Sequence, residues 1–407
     1  MVSEYGLTCD DHYLRSLVGS TYMLGMLFGS IIFGIVSDRF GRITALICAV
    51  VTMTTSAVVG AMIPNLAGYT IFRFLTGMGG MGCFLVSFVL VIEHVGFEYT
   101  MIIGVLIEIP FELGGIIFGI EAIFIRDWFT LHLVAYLPCI LLLALKFVIS
   151  ESPRWLIASG HYDQAIIVIN KAARVNQRSV PFELLKFTSP NIEMHSEDVQ
   201  LKNETMATFQ DLFKPKSMAR RTLNMFYQWF AVTMCYFGLT FSSTSLGGDP
   251  HTNFLLGVGI AIPGFLFCAF VMDCWGRRPI LSFCQAIAGV SCIISGVLFD
   301  FIGEQEYLIP VQIFFSLIGK FMASANFAIV YLYTAELYPT TIRTTAVGSC
   351  SCVARLGGTL RWPSTCHCPA IVVRVLLAGT NVNHGDGVID SWNFSPLFSR
   401  NRGYKTA

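Results

Sequence analysis

GIVSDRFGRI at residues 34–43 and VMDCWGRRP at residues 271–279 are the stretches that decide the fold. Each sets an acid, a glycine and two arginines between long apolar runs: Asp38, Arg39, Gly41 and Arg42 in the first, Asp273, Gly276, Arg277 and Arg278 in the second. One charged turn recurring at this distance is the mark of a helical membrane bundle built from two repeated halves.

The runs on either side are apolar enough to enter lipid. The chain is 54% hydrophobic and only 13% charged, where a soluble domain carries about 25% charged residues. A spanning helix needs about 20 predominantly apolar residues. Such runs occur at 16–36, 44–63, 69–92, 101–125, 129–149, 222–240, 254–272, 280–299 and 308–333, with a shorter tenth at 344–360 that carries Arg355.

Placing the first residues outside puts Arg39, Arg42, the basic residues of 171–221, Arg277, Arg278 and Arg343 together on the inner side, as the positive-inside rule requires. The organisation expected is therefore the end of an outer loop at 1–15, a first transmembrane half at 16–149, a cytosolic linker at 150–221, a second half at 222–360 and an atypical tail at 361–407. Counting outward from the repeated turn predicts halves of six spans, so that one span is wanting before residue 16 and most of two after Arg355. The longest apolar run of the tail, 370–379, is interrupted by Arg374 and cannot span.

Net charge is zero and no basic block occurs, which speaks against a nucleic-acid partner. The cysteines are scattered through apolar runs without metal-ligand spacing. No nucleophile–base arrangement or phosphate-binding loop sits on a soluble segment, so neither an enzyme, a metal site nor a cofactor is expected.

The turns carry mechanism of another kind. Asp38 is placed to cap a neighbouring helix N-terminus, and Arg39 and Arg42 to pair with acids or lipid phosphate. Glu151 and Arg154 of ESPRWL, and Glu336 and Arg343 of ELYPTTIR, bring further acids and bases to the same face. Pairs that form in one conformation and break in another are what a gate needs.

These motifs occur in one order with CDD, the RFLTG of residues 73–77, IRDW, MCYFGL, LGGDP and ARLGG. In that order they make the chain resemble the organic cation, organic anion and carnitine transporter family of the major facilitator superfamily, over about residues 4–360. The resemblance implies an all-α polytopic membrane protein of the plasma membrane, with a central cavity and alternating access. The partners implied are a small organic ion, the lipid bilayer and a coupling proton or sodium ion. Sugar porters share the ESPR and 336–343 elements and are the alternative family, although ASANFAIVYLYT stands where they resemble one another in a proline-rich glycine segment. A non-transporting, truncated form is the other alternative.

Charges inside spans are costly and mark function by default. Arg355, Lys320, Glu108 and Glu112 are such charges. Arg355 stands where, by the resemblance, cation carriers have aspartate and anion and carnitine carriers have arginine, and a guanidinium binds carboxylates through two bonds. Helical spacing puts Lys320 on one stripe with Ser324, Phe327 and Tyr331. Glu108 and Glu112 lie one turn apart, placed to carry a proton, attract a cation or pair with Lys320 or Arg355. Tyr236 and Phe237, with Tyr227 and Trp229 on the same span, offer ring faces to an amine. Phe265 stands where some anion carriers have lysine. The expected cargo is an organic cation or a carnitine-like zwitterion.

Overall fold

The computed structural model describes residues 12–96, 99–177, 212–214, 216–242, 246, 248–302, 306–338 and 340–359. Residues 1–11 of the outer-loop end, 178–211 of the linker and the residues from 360 onward lie outside the described residues. All regular structure described is helical. The first half comprises α1 (His12–Phe40), α2 (Arg42–Met62), α3 (Leu66–His94), α4 (Thr100–Leu106), α5 (Glu108–Phe124), α6 (Trp128–Tyr136) and α7 (Leu145–Val148), followed by α8 (Pro153–Ala158) and α9 (Tyr162–Val175). The second half comprises α10 (Lys216–Ser242), α11 (Pro250–Gly259), α12 (Ala261–Trp275), α13 (Arg277–Ile302), α14 (Ile309–Leu337) and α15 (Thr340–Thr359).

Eight spans among the described residues are long and apolar enough to cross a membrane. They match eight of the nine expected runs. The run at 222–240 differs: its helix α10 begins at Lys216 and carries Arg220, Arg221, Asn224 and Gln228. It is held instead by burial of Met225, Trp229, Val232 and Tyr236 in the core of the second half.

Two spans are jointed rather than straight. Ile107 separates α4 from α5 and Ile260 separates α11 from α12, with nearly the same backbone angles. Each joint lies three residues before a proline, in Ile-Glu-Ile-Pro and Ile-Ala-Ile-Pro. A helical proline lacks the N–H for its own turn and crowds the preceding one. The run at 129–149 passes through a 3-10 segment, Leu137–Ala144, that opens on Pro138. Asp127 and Asp249 cap α6 and α11 by accepting from the backbone N–H and hydroxyl of Thr130 and Thr252. Those bonds hold both exposed carboxyls below the usual carboxylate range, so this capping is complete at neutral pH and is lost as the pH falls through the lowered values.

Within the first half α3 packs on both α1 and α2, and within the second α14 packs on α10, α12 and α13. The halves meet along two seams, α1 against α15 and α5 against α11. The second seam is close because Gly115 and Gly119 present no side chain: a Cβ on Gly119 would lie 2.6 Å from Leu255 and 3.1 Å from Phe254.

Candidate functional site

The repeated turns fold alike. Gly41 and Gly276 both adopt the left-handed backbone, at φ 98° and 79°, a region that costs other residues. The arginine that follows each begins the next helix and bonds back to the fifth carbonyl before it: Arg42 Nη1 to Ser37 O at 2.8 Å and Arg277 Nη1 to Met272 O at 3.3 Å. Each then reaches an acid at the end of a neighbouring helix. Arg42 makes a two-point bond to Glu93 of α3 at 2.9 and 3.1 Å, and Arg277 bonds Glu336 of α14 at 3.1 Å.

Asp38 does not cap a helix. It pairs with Arg42 at 2.8 Å, and the cap of α2 is Glu151, which accepts from the backbone N–H of Arg42 and Ile43 at 2.9 and 3.1 Å. The reason is that the N–H groups at the start of α2 are taken by Glu151, while the Arg42 guanidinium engages the Asp38 carboxylate. Trp155 Nε1 donates to Asp38 O, at 2.8 Å, tying α8 beneath the turn. Arg39 stands beside the Phe40 ring, Arg154 lies in the field of Glu93, and Arg278 is partly exposed at the start of α13. The side chains of Asp273 and Arg343 lie outside the described residues. Glu93 was not singled out in the sequence, although an acid closing an apolar span before a histidine is a visible signal. Both partners of each ion pair described belong to the same half, so the clusters brace each half internally.

A second cluster crosses between the halves. Glu108, Glu112, Lys320 and Arg355 are all buried. Glu112 of α5 accepts a short hydrogen bond from the Tyr236 phenol of α10 and faces Lys320 of α14. Lys320 Nζ stands 3.3 Å from the centroid of the Tyr236 ring and donates to Thr240 Oγ1 at 2.5 Å. Glu108, one turn away, lies in the field of Arg355 of α15. The acids thus come from the first half and the bases from the second.

Aromatic rings continue the cluster. Tyr236 packs against Phe237 at 5.3 Å and Phe327 at 5.2 Å, and Phe327 against Tyr331 at 5.5 Å. Tyr331 in turn meets Phe88 of α3 at 6.1 Å. The stripe expected on α14 is therefore one surface. Trp229 is fully buried beneath it, edge-on to Tyr331 and donating to Thr334 Oγ1 at 2.8 Å. Phe265 is likewise fully buried in the core of the second half.

The family profile described as sugar (and other) transporter matches residues 2–360. An organic cation transporter protein of Drosophila melanogaster is 34% identical over 361 residues, covering 88% of this chain; the chain spans 65% of that protein's length. A solute carrier family 22 member 15-like protein of Xenopus laevis is 32% identical over 364 residues, covering 88% of this chain and 72% of that protein. Among solved structures, the xylose transporter XylE from E. coli in a partially occluded inward open conformation superposes with a TM-score of 0.67 at 15% identity, covering 97% of this chain and 91% of that one. The arrangement of helices is thus that of the major facilitator fold.

Proposed function

The chain belongs to the sugar (and other) transporter family, in the branch of solute carrier family 22, and on that premise we propose that it moves small organic amine ions across a membrane by alternating access. The observation that carries the reading is the buried Glu112–Tyr236–Lys320 contact between the halves. A carboxylate beside an aromatic face is the chemistry that holds an ammonium group in a poorly hydrated site. In this structure the ammonium there is the protein's own.

Lys320 thereby acts as an internal stand-in for the substrate. A substrate amine that takes its place over the Tyr236 ring satisfies Glu112 and frees Lys320, loosening the link from α5 to α14. Ligand-dependent exchange of a contact between two halves gives binding energy a way to bias one conformation over the other. Glu108 and Arg355 hold the neighbouring turn of the same interface. This charged lining favours an ion over a neutral sugar, which calls for uncharged hydrogen-bonding groups. A coupling ion, whether proton or sodium, would act through the same acids by competing with the amine at Glu112.

Binding of radiolabelled tetraethylammonium to the purified chain in lipid nanodiscs tests the reading. Glu112→Gln is expected to weaken binding about tenfold or more, the effect of losing a charged partner worth about 1.5–3 kcal/mol. Binding unchanged in that variant would remove Glu112 from the site.

A further inference from the structure

Lys320 has a side that the contacts with Glu112 and Tyr236 leave uncommitted. It lies eleven residues into α14, about 16 Å along it at 1.5 Å per residue, and is buried. An ammonium carries three N–H donors and no acceptor. One donates to Thr240 Oγ1 at 2.5 Å, and the Tyr236 ring centroid stands 3.3 Å away on another side. The ion pairs among the described residues join Arg42 to Asp38 and Glu93, and Arg277 to Glu336. Lys320 is in none of them, since the hydrogen bond of Glu112 goes to the Tyr236 phenol. A buried ammonium without a carboxylate in direct contact is costly.

Lys320 also lines a recess enclosed by α10, α11 and α14. Its polar lining is Lys320, Ser316, Thr240 and Asn253, and the rest is glycine and apolar side chains. The recess runs from Lys320 towards Leu246 and the start of α11, away from the arginine clusters. No carboxylate is part of its described lining. Its free space suits a water or a monatomic ion, not an organic solute.

The donors of this lining are available. Ser316 is buried one turn before Lys320. Further along α14 the Ser324 and Thr334 hydroxyls bond back to carbonyls one turn earlier, and among the described residues Ser316 shows no such bond. Asn253, also buried, brings amide N–H groups to the same wall. A Cβ on Gly257, another lining residue, would meet nothing within 4 Å, so the wall opposite α14 is open.

We propose that this recess binds a small monovalent anion of chloride size, held by the Lys320 ammonium, the Ser316 hydroxyl and the Asn253 amide. The ammonium supplies the charge, the O–H and N–H groups supply direction, and the apolar walls keep the attraction from being screened. The anion has a consequence for cargo. An amine that takes over Glu112 and the Tyr236 ring deprives Lys320 of its nearby acid, and the anion then balances the ammonium. Amine and anion therefore strengthen each other's binding by one and the same factor. This coupling rests on the proposed function; the anion site does not.

Chloride binding to the chain in nanodiscs is followed by chloride NMR line broadening, with gluconate as the replacement ion at constant ionic strength. Wild-type chain is expected to give saturable broadening that bromide displaces. Ser316→Ala is expected to weaken the affinity about threefold or more, the effect of one lost hydrogen bond, and Lys320→Gln to abolish binding. Gly257→Val, which fills the recess from its open wall, is expected to abolish it too and serves should Lys320→Gln fail to fold. Absence of saturable broadening leaves the recess to water and overturns the site. Binding that senses Lys320 but neither Ser316 nor Gly257 overturns it as well. Tetraethylammonium affinity is expected to be about threefold or more higher in chloride than in gluconate, with no difference in Gly257→Val. If chloride binding senses Ser316 and Gly257 while tetraethylammonium does not bind, the anion site stands and the amine reading falls.

Discussion

Arg42 shows how much one residue of the repeated turn carries. It opens α2, bonds the Ser37 carbonyl, and joins Asp38 and Glu93. Its environment differs from that of its counterpart: the Arg42 and Glu93 side chains are 10% and 15% exposed, those of Arg277 and Glu336 26% and 38%. Solvent weakens the second pair, whereas removing one partner of a more buried pair strands the other. Glu93→Gln is therefore expected to cost about 1.5–3 kcal/mol and Glu336→Gln at most about 1 kcal/mol, read as a larger drop in the thermal unfolding temperature of the solubilised chain for the first. Equal drops would contradict the asymmetry. At the same scale Gly41 is confined twice over: its φ is left-handed, and a Cβ would stand 2.7 Å from Glu151 Oε2.

Among the elements, the seam of α5 and α11 depends on what is absent from α5. A Leu at 119 would drive into Leu255 and Phe254, while a Cβ at Gly114 meets nothing within 4 Å. Gly119→Leu is expected to destabilise by about 1–3 kcal/mol through overpacking, and Gly114→Leu to leave the unfolding temperature within error. Loss of stability in both would show that the effect does not arise at the seam, because leucine favours a helix more than glycine does. Much at this scale was legible from sequence. Eight of the nine expected apolar runs, the charged turns and the Lys320–Phe327–Tyr331 stripe follow from period and hydropathy alone. The joints at Ile107 and Ile260 were written as Ile-x-Ile-Pro but pass unnoticed, because a hydropathy window averages over a proline. The helix α10 is held by tertiary packing, which no local pattern reports. Which group Glu112 meets was open for the same reason: its hydrogen bond from Tyr236 joins residues far apart in the chain.

For the whole molecule, the picture is of two halves, each braced on the basic side by its own arginine–glutamate cluster, meeting through acids of one and bases of the other. Rigid halves with an exchangeable contact between them are what rocking about a central site requires. The account would fail if the charged interface were only structural, since the cluster would then hold the halves together without ever yielding to a solute. Net uptake separates these cases: purified chain is reconstituted into liposomes and the accumulation of radiolabelled tetraethylammonium is followed against empty liposomes and against the Glu112→Gln variant. Time-dependent uptake by the wild-type chain, saturable and reduced about tenfold or more in the variant at subsaturating substrate, is the predicted result; uptake no greater than in empty liposomes, from chain shown to be folded, would contradict it.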